Sequence, residues 1–245
     1  MIIARFAPSG KTKAFNSRSN DVINDGAIHA SRRNAIVNMI LETRLDKMRR
    51  SLDELSAAMD DNLRNLLHKL TCDESAAPMP LKNLDALAKA ARENCLMLLA
   101  KEHPFAGDLK YAMGALRVGH DYERIQEIAE SLNKRVSILH KTAFKGICQD
   151  MTGVMADILS MHEIVRHLWK RNQSDDDLKM LAAQQMKLFA GIQVSILAIQ
   201  NQIMSSISSE KTDAESIVEI VLACRHLKRI AATLNSMPEE LHSFG

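Results

Sequence analysis

The segment HPFAGDLKYAMGALRVGHDYERIQEIAESLNKRVSIL (103–139) decides the fold. Within it Tyr111, Ala115, Val118, Tyr122, Ile125, Ala129, Leu132, Val136 and Leu139 follow one another by alternating steps of four and three. That spacing draws one apolar line down a long helix. A line of this kind packs at a shallow angle against equally long neighbours. Pro104 suits the first turn of the helix and ends whatever precedes it.

Upstream, Leu41, Leu45, Met48, Leu52, Leu55, Met59, Leu63, Leu66 and Leu70 step by three or four residues, with charged residues between them. This predicts a long amphipathic helix from Asn34. The two prolines of DESAAPMP (73–80) break it, and a second helix is expected from Leu81 to Glu102. Downstream, Met151, Val154, Ile158, Met161, Val165 and Leu168 predict a helix over 150–170. Ser174 followed by three aspartates reads as an N-cap, with a helix carrying Leu178, Leu181, Leu188, Ile192, Ile196, Ile199 and Ile203. Thr212-Asp-Ala-Glu215 reads as a capping box opening the last helix, which Pro238 is expected to kink or end.

The composition agrees with an all-α chain. Hydrophobic residues make up 46% but aromatics only 4%, and 9 Gly and 5 Pro leave few turn signals. Leu, Ile, Met, Val and Ala carry the apolar load, which suits helices. A net charge of +2 gives no global field toward nucleic acid or an anionic membrane. Residues 1–33 carry a net +4 and show no period, so a flexible basic tail is expected there. Cys72, Cys95, Cys148 and Cys224 form no CxxC pair, which points to reduced thiols in a cytoplasmic protein. No continuous apolar run approaches the ~18 residues that span a bilayer. The N-terminus lacks the apolar core of a signal peptide.

The pattern occurs twice. Shifted by 105 residues, the seam maps onto Ser216, Ile220, Ala223, Leu227, Ile230, Leu234, Met237, Leu241 and Phe244, and eight of these nine are apolar. Arg124-Ile125 falls on Arg229-Ile230 at the same phase. Helix order and length repeat as well, so we read two tandem three-helix bundles, residues 34–141 and 142–245.

On the outer side of the seam helix, Glu123, Glu127 and His120 lie within about 60° of one another at ~100° per residue. Two carboxylates at i and i+4 and one imidazole are donors for a hard or intermediate cation. Glu130 and Lys134 continue the face, and spacing alone also describes an ordinary solvated helix. His162 and His167 resemble HExxH but stand five apart, about 140° around the helix, and cannot share a zinc ion. No phosphate-cradling glycine loop or nucleophile motif occurs, and no pair of Glu-x-x-His motifs supports a ferritin-like carboxylate enzyme. Trp169 reads as a core or interface residue.

The string Pro104, Asp108-Leu109-Lys110 and Asp121-Tyr122-Glu123-Arg124-Ile125-Gln126-Glu127 resembles the signature of the PhoU family of phosphate-uptake regulators. The apolar LMLLAKEHP before it fits as well, and CRHLKRIAATLNSM (224–237) is similar to the family's second copy. The resemblance covers 34–245. It implies two tandem three-helix bundles, no enzymatic activity, and repression of the phosphate-starvation response. The implied partners are a phosphate ABC transporter ATPase, a phosphate-sensing histidine kinase and a second copy of the chain. It also implies a divalent or iron-type metal at acidic surface motifs, here Glu123, Glu127, Asp121 and His120. The second motif has Lys228 and Ala232 where the family has acids, so no metal is expected there. Arg225, Lys228 and Arg229 make that face basic.

Overall fold

The computed structural model describes residues 16–71, 80–101, 106–139, 145–168, 174–207 and 214–242. Among them stand six helices and no strand: α1 (Asn16–Thr71), α2 (Asp85–Lys101), α3 (Ala106–Leu139), α4 (Lys145–Leu168), α5 (Asp175–Ile207) and α6 (Ala214–His242). The helix pattern is the one the apolar periods predict. The chain divides into two compact units, Met1–Arg44 and Leu45–Gly245.

In the first unit α1 begins at Asn16, eighteen residues before the predicted start at Asn34. Residues 16–33 have no apolar face, yet extending an existing helix fixes one residue per hydrogen bond gained and needs none. Residues 1–15 of the expected tail lie outside the described residues.

In the second unit every seam position of α3 from Ala115 to Leu139 is buried, and Tyr111 is half-buried under the Arg49 guanidinium, 5.3 Å from its ring centre. The repeated seam on α6 is buried as well, at Ile220, Ala223, Leu227, Ile230, Leu234 and Met237. α4, α5 and α6 pack on one another, α2 packs on α3, and α3 packs along α6. The apolar stripe of α1 from Leu45 to Leu70 is buried too. The α3–α6 packing joins the two three-helix sets into one body. Cys95, Cys148 and Cys224 are free and buried, and burial pushes the Cys95 and Cys224 thiols up to about 12, so both stay protonated. Cys72 and Trp169 lie outside the described residues.

Three further helix ends differ from the sequence reading. α2 starts at Asp85 rather than Leu81. Asn62 of α1 holds Lys82 on both backbone sides, accepting its N–H at 2.8 Å and donating to its carbonyl at 2.9 Å. Residues 80–84 are thereby kept out of the helix, and Asn83 caps it by accepting the Asp85 N–H at 2.7 Å. α4 starts at Lys145, five residues before the expected 150.

α6, third, runs through Pro238 instead of ending at it. Proline has no N–H for the carbonyl four residues back, which is Leu234. Gln185 of α5 supplies the missing donor, its Nε2 lying 2.9 Å from the Leu234 oxygen. A freed backbone acceptor is thus satisfied from the neighbouring helix, and α6 continues. Ser174 does cap α5, accepting the Asp177 N–H at 3.1 Å while the Asp177 carboxylate accepts from Ser174 N–H and O–H. The capping box at Thr212 lies outside the described residues, as does the opening role of Pro104.

α5 is also notable for its composition. Asp176–Ser206 is long and apolar enough to cross a membrane by length and composition, although its apolar residues are interleaved with Gln, Ser and Asn rather than continuous.

Candidate functional site

The first motif sits on α3 where the seam places it. Tyr122, Ile125 and Ala129 face the core, so His120 and Glu127 stand exposed on the opposite side. Glu123 lies between these extremes and is not free. The Arg92 guanidinium of α2 binds its carboxylate, and His120 Nδ1 lies 3.5 Å from its other oxygen. Asp121 is buried, 8% exposed, on a different side of the helix from Glu127. An open depression of about 340 Å³ lined by Leu116, Arg117, His120 and Asp121 flanks the motif.

The sequence reading thus places His120, Glu123 and Glu127 on the outward side as expected, while Asp121 belongs to the inward side. Among the described residues no three His, Cys, Asp or Glu side chains are placed to hold one metal ion. The donors fit a metal poorly in this arrangement, because an arginine already neutralises the central carboxylate. Glu130 accepts a hydrogen bond from Gln126 Nε2 at 2.8 Å.

Behind this surface lies a buried polar chain that the motif reading missed. Tyr122 Oη stands 3.1 Å from Ser56 Oγ of α1 and 3.1 Å from His162 Nε2 of α4. His162 Nδ1 lies 3.4 Å from Asp60 Oδ1, whose second oxygen accepts from Arg64 Nε at 2.7 Å. One direction of donation satisfies every member. Ser56 donates to Tyr122, Tyr122 donates to His162 Nε2, and His162 donates its Nδ1 proton to Asp60. Burial lowers the His162 pKa and so keeps the ring neutral. The bond from His162 and then Arg64 hold Asp60 at about 2, against the cost of its burial. Burial raises Tyr122, so its proton stays in place. His162, a rejected zinc ligand in the sequence, is a fully buried tie between α1, α3 and α4; His167 is half-buried and does not face it.

A second tie lies one turn along. Asn62 Nδ2 donates to Gln126 Oε1 at 2.8 Å, and Gln126 Nε2 donates to the Lys82 carbonyl at 3.2 Å. A hydroxyl on a seam line had to find a partner, so Tyr122 was the available signal for the first chain. Nothing in the spacing identified Asn62 or Arg92.

The second motif face is basic, as expected. Arg225, Lys228, Arg229 and Ala232 are exposed on α6, while Leu227, Ile230 and Ala231 are buried beneath. Beside them Arg135 of α3 binds Glu219 at 2.6 Å and donates to His226 Nε2 at 3.2 Å. Burial, then Arg135, Arg229 and Arg225, lower the His226 pKa.

No known sequence family and no curated protein matches the sequence. Among solved structures, the crystal structure of PhoU from Pseudomonas aeruginosa is similar, with a TM-score of 0.57 at 15% sequence identity, covering 87% of this chain and 97% of that one. With its six helices and repeated seam, the chain has the PhoU-like all-α fold.

Proposed function

We propose that this chain is a non-enzymatic, cytoplasmic negative regulator of phosphate uptake and of the phosphate-starvation response. It couples a phosphate ABC transporter ATPase to a phosphate-sensing histidine kinase, and it consists of a duplicated three-helix unit, 34–141 and 142–245. The observation that carries the reading is the PhoU-like fold over 87% of the chain, together with the Asp121–Glu127 string on its outward helix. Any metal at the first motif competes with Arg92 for Glu123. The second motif has an ammonium at Lys228 and a methyl at Ala232, which coordinate nothing.

The deciding experiment is alkaline phosphatase activity in a deletion strain grown in plentiful phosphate. High activity that falls when the gene is restored is the expected result. A second reading, a helical adaptor unrelated to phosphate control, is favoured by the basic second motif and the arginine on Glu123. Capture of the phosphate transporter ATPase by this protein separates the two, since the adaptor reading expects none.

A further inference from the structure

α5 is apolar enough by composition to cross a membrane, yet only 22% of its most apolar stretch is buried inside the protein. Most of that apolarity therefore does not serve the core. Val194, Leu197 and Met204 stand on its outward side, 57 to 69% exposed, and Val218 and Val221 on the outward side of α6 are 54 and 41% exposed. Gln185 of α5 bonds the Leu234 carbonyl of α6, and only six residues separate the end of α5 at Ile207 from the start of α6 at Ala214. The two helices thus run antiparallel side by side. At 1.5 Å per residue Val221 lies within a turn of the level of Leu197, and Val218 within a turn of Met204. The exposed apolar residues form one strip across two helices rather than isolated points.

Charge marks the same face. α5 carries no acid after Asp177, and α6 from Ser216 to Met237 carries only Glu219, which Arg135 holds. Against this stand Lys187, Arg225, Lys228 and Arg229 in the middle of the two helices, all exposed. The Gln185–Leu234 bond sets Arg225 at the level of Val194, so the cations border the apolar strip. On a chain whose net charge is only +2, this face is strongly of one sign. Acids occur at its ends. Glu215 opens α6 near Met204, and Asp177 stands about 25 Å along α5 from Val194, more than two Debye lengths at ~0.1 M salt.

We propose that this face of α5 and α6 docks on an anionic lipid surface. The protein lies on the bilayer rather than crossing it, because Ile192, Ile196, Ile199 and Ile203 of α5 stay packed against the rest of the unit. Val194, Leu197 and Met204 enter the boundary between headgroups and acyl chains, a layer about 5–10 Å deep. Arg225, Lys228 and Arg229 remain at the level of the lipid phosphates, where each cation strengthens partitioning on the order of fivefold. An acidic protein segment would satisfy the cations as well. The outward crest of a helix, however, needs a matching hollow in a folded partner, whereas fluid acyl chains close around it without one. The inference is independent of the phosphate reading.

Flotation of the full chain with vesicles of phosphatidylcholine alone, and of phosphatidylcholine with an equal share of phosphatidylglycerol, tests it. The chain should float with the anionic vesicles and stay behind with the neutral ones. Two sets of surface substitutions should each weaken that binding at least tenfold while circular dichroism and melting stay unchanged. One set is Val194→Gln with Leu197→Gln, and the other is Arg225→Gln and Lys228→Gln with Arg229→Gln. In a Cys72→Ser background, an environment-sensitive dye on Leu197→Cys should shift to the blue on anionic vesicles, while the same dye on Glu93→Cys of α2 should not. A chain that does not float overturns the proposal and leaves the face to a protein. Binding indifferent to either set, or a dye on Leu197→Cys that stays in water, overturns it equally.

Discussion

Tyr122 and His162 illustrate how a single buried hydroxyl organises its surroundings. Removing the Tyr122 hydroxyl leaves His162 Nε2 buried without that partner. Tyr122→Phe should therefore cost about 1–3 kcal/mol in urea unfolding. A loss within error of zero would mean that the Ser56 and His162 bonds contribute nothing net. The same pair sets a pH dependence. Burial lowers the His162 pKa below its unfolded 6.5, so the unfolded chain takes up this proton at higher pH than the folded one. Stability is therefore full above pH 6.5 and declines as pH falls below it. Asp60, held at about 2 against 3.8, acts in the same sense, its contribution being present above 3.8 and lost as pH drops toward 2. Between pH 7 and 5 the unfolding free energy should fall by up to about 1.4 kcal/mol per pH unit for the His162 proton. His162→Gln should remove that share of the slope; an unchanged slope would refute the assignment. At the surface, Arg92 occupies the Glu123 carboxylate. Arg92→Ala should raise manganese or iron retained after dialysis, measured by elemental analysis. Equal metal content in both proteins would show that Arg92 is not the competitor.

At the scale of the element, the helices were legible because their apolar residues recur at helical spacing, and the ends were legible only where a local cap decides them. Ser174 is such a case, since its partner Asp177 stands three residues away in the sequence. The start of α2 is the opposite case. Asn62, twenty residues upstream of Lys82, decides it, and no local pattern contains that information. That α6 continues past Pro238 was illegible for the same reason, because the compensating donor, Gln185, comes from another helix. This arrangement makes a sharp prediction. Gln185→Leu strands the Leu234 carbonyl in a buried site and should cost about 1–3 kcal/mol. In a Pro238→Ala background the alanine N–H can take that carbonyl itself, so the cost of Gln185→Leu should shrink by at least half. Additive losses in the double-mutant cycle would separate Gln185 from Pro238.

At the scale of the whole molecule, the repeat was legible from the duplicated seam and the Arg-Ile phase, but the joining of its halves was not. Two amphipathic helices that each complete a bundle give no sign in the sequence that they also pack on each other. Here α3 lies along α6, and polar ties cross between the two helix sets at Tyr122–His162, Asp60–His162 and Arg135–Glu219. Arg135 and Glu219 are both mostly shielded, with 26 and 16% of their side chains exposed, so removing one partner leaves the other charge poorly solvated. If the body from Leu45 to Gly245 is one cooperative unit, its halves cannot open separately. Amides in 45–71 and 106–139 should then share one denaturant-dependent opening free energy with those in 145–168 and 214–237, measured by hydrogen exchange and mass spectrometry. Arg135→Ala should lower that common value in both sets of peptides by the same amount, because the unit opens as a whole. A drop confined to α6 peptides, or distinct opening energies in the unsubstituted chain, would mean that the α3–α6 packing is an interface between two independently folding bundles.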